Sequence, residues 1–280
     1  MKRRTSPRDC DNTSCPQARH SRWPAFGRKF NARRGIELNR RWYCCPDCFE
    51  EAARQELSRM VPPATRRRPR QHRIPLGLVL LSRGFINNQR LQEALQVQRQ
   101  SREGRLGEWL MRLGAVSEDQ VTAALAIQWS CPVFPLERHH HFMDCAGMVP
   151  LPILEAARMA IVDYLPTGLS LYVAFANGID HCALQALEEM FRCRTQPCIA
   201  RESSLQRALE AIRNFPRPPE IVIDNTLSPV EMAHTLRSYA AAKTAEQVRI
   251  VKCEAFIWAQ LEQSSRPTNV LFRLSGSNGS

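Results

Sequence analysis

No stretch of this chain approaches the ~20 consecutive apolar residues that a membrane-spanning helix requires. The longest such run, Ile74 to Leu81, is short and carries a proline and a glycine. A P-loop is also missing. No Gly-x-x-x-x-Gly-Lys-[Ser/Thr] occurs, and none of the 12 glycines is followed by lysine. Without that phosphate cradle the chain is not a P-loop motor. The basic start, Met1-Lys2-Arg3-Arg4, leads into Asp9, Asp11 and Asn12 instead of an apolar core. A secretory signal is therefore not expected, and the cytoplasm is the expected location. Eleven cysteines under those conditions point to reduced thiols and metal, not disulfides. No Ser/His/Asp or Cys/His arrangement stands at a recognisable spacing, so no enzyme is expected.

What is abundant is arginine, and it is unevenly placed. Residues 1–74 hold 19 Lys and Arg against 7 Asp and Glu, which accounts for the whole net charge of +12. Residues 75–280 are balanced, 20 against 20. The basic quarter could meet phosphates or an acidic partner. Its aromatics, Trp23, Phe26, Phe30, Trp42 and Tyr43, are few and are expected mostly in a small core, so nucleic acid is the lesser reading.

The fold class expected is α+β. Residues 1–60 read as a Cys-rich unit resembling a zinc finger, with an extended stretch Ile36–Tyr43 and a helix Phe49–Met60. Residues 61–74 read as an Arg/Pro-rich linker that cannot pack a core. Residues 75–130 read as four helices in two pairs. Beyond them come a short strand at 132–134, a helix at 152–159 and a hairpin over 160–176 broken at Pro166-Thr-Gly168. A helix at 179–191, a strand at 195–200 and a helix at 203–212 complete a domain over 75–213. After a second linker, Phe215–Pro219, residues 220–275 read as a C-terminal α+β unit: a strand, the helix Ser228–Lys243 and two or three strands. The tail 275–280 is expected to fray.

The firmest feature is a repeat. Pro75–Gln98 aligns with Arg105–Gln128 at an offset of 30 with no insertion. Leu76/Leu106, Gly77/Gly107, Leu80/Leu110, Gly84/Gly114, Ala94/Ala124, Leu95/Leu125 and Gln98/Gln128 are identical. Leu81/Met111, Ile86/Val116, Leu91/Val121 and Val97/Ile127 are apolar pairs. Each copy reads as helix, turn, helix. Gly84 and Gly114 end the short helices, because glycine just past a helix accepts the left-handed conformation cheaply. Asn87 caps the second helix of copy one, and Ser117 with Gln120 forms a capping box in copy two. Glycine inside a helix costs about 1 kcal/mol relative to alanine. Gly77 and Gly107 therefore imply that something approaches the backbone closely.

The pattern Arg-Leu-Gly, two residues, two aliphatics, two residues, Gly, then Leu, Leu and Gln resembles the tandem motif of the MshEN domain. That is the N-terminal domain of type II secretion and type IV pilus assembly ATPases of the GspE/PilB group. The likeness covers about 75–213 and includes Ala123–Gln128 followed by Pro132-Val. It implies cyclic di-GMP as a ligand, a secretion or pilus component as a partner, and a regulatory role without the ATPase. Carried over by position, copy two offers Arg105, Leu106, Gly107, Leu110, Met111, Gly114, Val121, Leu125 and Gln128. Copy one offers Leu76, Gly77, Leu80, Gly84, Leu91, Leu95 and Gln98, but Pro75 stands where the arginine belongs. Arg73, two residues earlier, is the candidate substitute. Relatives that dock without a ligand make a docking adaptor the alternative, and a zinc-finger nucleic-acid regulator is a third.

Cys10-x4-Cys15 and Cys45-Pro-Asp-Cys48 fit a four-thiolate structural zinc site, with Cys44 able to replace Cys45. A pair, an extended stretch and a pair leading into a helix resembles a treble-clef or zinc-ribbon finger. A unit this polar needs such a staple. His139-His-His141 with Asp144 and Cys145 has metal-ligand residue types in a loop and is discounted. Asp163 and Asp180 are read as turn and cap residues. Cys131, Cys182, Cys193, Cys198 and Cys253 are read as small hydrophobes.

Overall fold

In the computed structural model, the described residues are 10–15, 35–61, 73–101, 103–139, 141–225, 227–263 and 267–274. Most of the expected 61–74 linker and the 275–280 tail lie outside them. The elements begin with strands β1 (Ile36–Leu38) and β2 (Arg41–Tyr43) and helix α1 (Pro46–Met60). Helices α2 (Leu76–Ser82), α3 (Asn88–Ser101), α4 (Leu106–Arg112) and α5 (Glu118–Trp129) follow. Next come α6 (Leu151–Ala156), β3 (Met159–Leu165), β4 (Ser170–Phe175), α7 (His181–Phe191), β5 (Arg194–Ile199) and α8 (Glu202–Arg213). The chain closes with β6 (Glu220–Ile223), α9 (Pro229–Ala242), β7 (Gln247–Cys253), β8 (Phe256–Glu262) and β9 (Thr268–Arg273). The α+β class is as expected. Among the described residues no helix is long and apolar enough to cross a membrane.

Two compact units form. Unit one comprises residues 1–66 and 218–280, and unit two residues 67–217. This differs from the expected separation of 1–60 and 220–275. The two segments share one six-stranded sheet in the order β2-β1-β7-β8-β9-β6. β1 runs parallel to β7, with Leu38 opposite Val248. β7, β8 and β9 form an antiparallel meander, and β6 lies parallel to β9. A two-stranded hairpin is marginal in water, and β1 and β2 have only 3 residues each. The hairpin persists because it extends a larger sheet. Helix α1 likewise finds its apolar partner in the other segment. Phe49, Ala53 and Leu57 are fully buried in one cluster with Met232, Leu236 and Ala240 of α9 and with Val248, Ile257 and Val270 of the sheet.

Asn39 completes the join. Its φ of +45° places it in the left-handed region at the β1–β2 turn, a conformation asparagine tolerates. Its side-chain amide then acts as one more rung of sheet. The Oδ1 accepts from Ile250 N–H at 2.9 Å and the Nδ2 donates to Ile250 C=O at 3.2 Å.

In unit two the four repeat helices are those expected. Gly84 and Gly114 have φ of +69° and +64°, and Ile86 and Val116 fold back into the core. Asn87 Oδ1 accepts from Arg90 N–H at 2.9 Å. Ser117 and Gln120 form the reciprocal capping box at 3.2 and 2.8 Å. The α/β part is a three-stranded sheet β3-β4-β5, antiparallel then parallel. The strand expected at 132–134 reduces to one bridge, Val133 to Ile199. The helix expected to run to 159 stops at Ala156. Arg158 turns left-handed (φ +47°), and Met159 already belongs to β3.

Candidate ligand pocket and candidate metal centre

The two repeat copies interleave. α2 of copy one packs on α5 of copy two, and α3 packs on α4. Leu80 and Leu110 are fully buried between them. The glycines of Leu-Gly permit this packing. An ideal Cβ on Gly77 would lie 2.9 Å from Leu91 Cδ1 and 3.3 Å from Leu106 Cδ2. On Gly107 it would lie 3.1 Å from Val121 Cγ1 and 3.5 Å from Leu76 Cδ2. The close approach implied by the sequence is therefore internal: each copy's leucine crosses the other copy's glycine.

The terminal glutamines obey the same symmetry. Gln98 Nε2 donates to Gly104 C=O at 3.0 Å, and Gln128 Nε2 donates to Ile74 C=O at 2.7 Å. Both acceptors lie just ahead of the opposite copy, at the same 30-residue offset as the glutamines. Each glutamine thus pins the lead-in of the other copy.

A pocket of about 320 Å³ opens on the copy-two side. Of the residues carried over by position, Arg105, Leu106, Gly107, Met111, Val121, Leu125 and Gln128 line it, joined by Leu76 and Gln98 of copy one. Leu110, Leu80 and Leu91 do not reach it and are core residues. Gly77 is buried against Leu91, while Gly84 and Gly114 sit at exposed turns. Leu95 faces a shallow hollow along the outer side of α3. The rim is acidic in a way the motif does not announce. Glu108 Oε2 accepts from Arg105 N–H at 3.3 Å. Glu118 accepts from the N–H and the hydroxyl of Ser203 at 2.8 and 2.7 Å. Glu202 accepts from Arg158 at 2.6 Å and from Asn177 at 3.0 Å. Asn177 and Glu202 line the pocket from the α/β part. The turn signal Asn177-Gly178 is visible in sequence, but nothing in the repeat connects it to Arg105.

Copy one has no matching cation at its start. Pro75 opens α2 with φ −57° and ψ 139°. Arg73 is committed elsewhere, with its guanidinium 3.0 Å above the centre of the Trp129 ring and Nη2 3.0 Å from His181 Nε2.

In unit one, Cys10, Cys15, Cys44 and Cys48 bring their Sγ atoms within 4.8 Å of one another. Cys15 Sγ and Cys44 Sγ are 3.5 Å apart. A tetrahedral zinc with Zn–S of ~2.3 Å needs sulfurs roughly 3.8 Å apart, so the group fits a four-thiolate metal. Of the two alternatives for the third ligand, Cys44 joins the group and Cys45 does not. Cys45 is the N-cap of α1, extended (φ −147°) with its carbonyl accepting from Phe49 N–H. Burial pushes the Cys48 thiol up to about 12.

The discounted candidates are not among these four ligands. His141 and Asp144 form an exposed pair at 3.4 Å, and His140 lies outside the described residues. Asp180 caps α7, accepting from Cys182 and Ala183 N–H. Cys193, Cys198 and Cys253 are buried, as read from the sequence, whereas Cys131 is half-buried and Cys182 exposed.

No family model matches the chain. The type IV pilus assembly ATPase PilB of Myxococcus xanthus (strain DK1622) is 27% identical over 135 residues, 48% of this chain and 23% of that protein. The chain therefore spans about a quarter of the curated relative's length. Over about half of its length the chain is similar to this pilus assembly ATPase. Among solved structures, MshE with cdg is 29% identical, covering 50% of this chain and 99% of that one, with a TM-score of 0.44. The N-terminal domain of XpsE is 20% identical, covering 48% and 91%, with a TM-score of 0.37. Each of these likenesses covers about half of the chain.

Proposed function

We propose that this protein is a non-catalytic regulator or adaptor whose GspE/MshE-type domain binds cyclic di-GMP at copy two and serves a type II secretion or type IV pilus assembly. The observation that carries this reading is the pocket. It gathers Arg105, Leu106, Gly107, Met111, Val121, Leu125 and Gln128, contributed by one motif, around about 320 Å³. That volume is at the small end of ligand pockets and suits one guanine with part of its ribose. Leu106, Met111, Val121 and Leu125 offer apolar contact to the flat base. The Arg105 guanidinium can stack on the base or fork onto its O6 and N7. The carboxylates at the rim suit the N–H edge of guanine.

Titration of cyclic di-GMP into the full chain tests this. Heat at micromolar protein that Arg105→Ala abolishes supports it. No heat, or heat indifferent to Arg105→Ala, ends the sensor reading. A docking adaptor without ligand is the second reading. It is favoured by Pro75 at the start of copy one and by Arg73 being held on Trp129.

The same proposal assigns one structural zinc ion per chain to Cys10, Cys15, Cys44 and Cys48. Four thiolates closed around the ion leave no open position, the pattern of a structural and not a catalytic site.

A further inference from the structure

Resting on that zinc reading, we infer that the metal is the clamp that fixes the first segment of unit one into the body on which the second segment packs, so that α9 and β7, far along the chain, depend on metal held by Cys10, Cys15, Cys44 and Cys48. The thiols come from three places: the 10–15 turn, the residue after β2, and the first turn of α1. Besides its thiols, the 10–15 turn meets the hairpin at Trp42. Asp11 N–H donates to Trp42 C=O at 2.9 Å, and Asp11 Oδ2 accepts from Trp42 N–H at 2.6 Å. The metal would fix this turn, β2 and α1 as one body.

That body is bolted to the other segment at both ends of α1 and at the hairpin. At the start of α1, Arg237 of α9 pairs with Asp47 at 2.8 Å and Glu50 at 2.5 Å. Asp47 is the neighbour of the ligand Cys48. At the end of α1, Lys252 Nζ of β7 donates to Met60 C=O at 2.8 Å. At the hairpin, Asn39 pairs with both backbone groups of Ile250. Without the metal, the relation of the hairpin to α1 rests on the short link at Cys44-Cys45 and on shared-core packing that includes Leu38, Tyr43, Phe49, Ala53 and Leu57. Losing their fixed relation frees the groups that β7 and α9 depend on. Metal binding and folding are then one equilibrium for both segments.

The test uses the full chain. Zinc content is measured, and hydrogen exchange is followed with and without a chelator. The expected result is one zinc per chain. Chelation should speed exchange about tenfold or more in 229–253 as well as in 36–60, while 118–175 in unit two is unchanged. Absence of zinc overturns the zinc reading itself. Zinc present, with chelation speeding 36–60 but leaving 229–253 unchanged, leaves that reading intact and overturns the clamp. Equal acceleration of 118–175 also overturns it, because the metal would then be holding the whole chain. Cys44→Ser should lose zinc and Cys45→Ser should keep it. If Cys44→Ser does not fold, Cys45→Ser still decides, since loss of zinc there overturns the ligand assignment.

Discussion

Replacing Gly77 with alanine pits two known effects against each other. Alanine should favour helix α2 by about 1 kcal/mol over glycine. The new methyl, however, would sit 2.9 Å from Leu91 Cδ1 and 3.3 Å from Leu106 Cδ2. Leu91 is 8% exposed and has little room to retreat. Overpacking of this kind costs roughly 1–3 kcal/mol, so the net effect is a loss of about 1 kcal/mol. The copy-two counterpart of Leu91 is Val121. Leu91→Val alone removes a methylene and should cost about 1 kcal/mol. The double variant Gly77→Ala/Leu91→Val trades one carbon for another. It should lie within about 0.5 kcal/mol of the parent, a coupling of about 1.5–2.5 kcal/mol between neighbours. Hydrogen exchange in α2, α3 and α5 of the full chain reads this out, with Gly77→Ala about fivefold faster and the double variant near parental. If Gly77→Ala slows exchange, or if the two changes simply add, the close packing of Leu91 on Gly77 is wrong.

Asn39→Ala removes both bonds to Ile250 and should destabilise unit one by about 1–3 kcal/mol, seen as faster exchange in β7. Asn39→Asp keeps the acceptor to Ile250 N–H and should fall between. Gln128→Ala should loosen the lead-in at Ile74 by about 1 kcal/mol, and Gln98→Ala should do the same at Gly104. Acid should weaken the contact between α8 and residues 136–138. The Glu137 carboxyl is held below the usual carboxylate range by its own backbone N–H, then by the Ser204 hydroxyl and by Arg201, against some desolvation. A depressed folded value means this contribution is complete above the ordinary Glu range and is lost as pH falls through the folded value. Protection against exchange in α8, corrected for the intrinsic rate at each pH, should therefore fall as pH drops through the folded value, and Glu137→Gln should flatten that dependence.

What the sequence made legible was local. The offset of 30, the glycines at 84 and 114 and the caps at Asn87 and Ser117 each act within a few residues, and each appears as read. The hairpin around Pro166–Gly168 is equally local. The interleaving of the copies was hidden, because a helical stripe such as Leu91, Leu95 and Gln98 reports a face and not its partner. The same limit hid the union of 36–60 with 220–273. Nothing in Ile36–Tyr43 says that it pairs with a strand some two hundred residues later. In the pocket, the motif supplied Arg105 and its apolar neighbours, while Asn177 and Glu202 came from a part of the chain that no repeat marks. Cys44 and Cys45 were indistinguishable by spacing and were separated by the turn into α1.

The central claim is that any ligand binding rests on copy two. The most direct measurement is titration of cyclic di-GMP into the parent chain, Arg105→Ala and Arg73→Ala side by side. The account predicts micromolar or tighter binding, weakened about tenfold or more by Arg105→Ala. It predicts affinity within about twofold of the parent for Arg73→Ala, because that guanidinium is spent on Trp129 and His181. Binding that Arg73→Ala abolishes and Arg105→Ala leaves intact would contradict it, as would no binding to the parent chain.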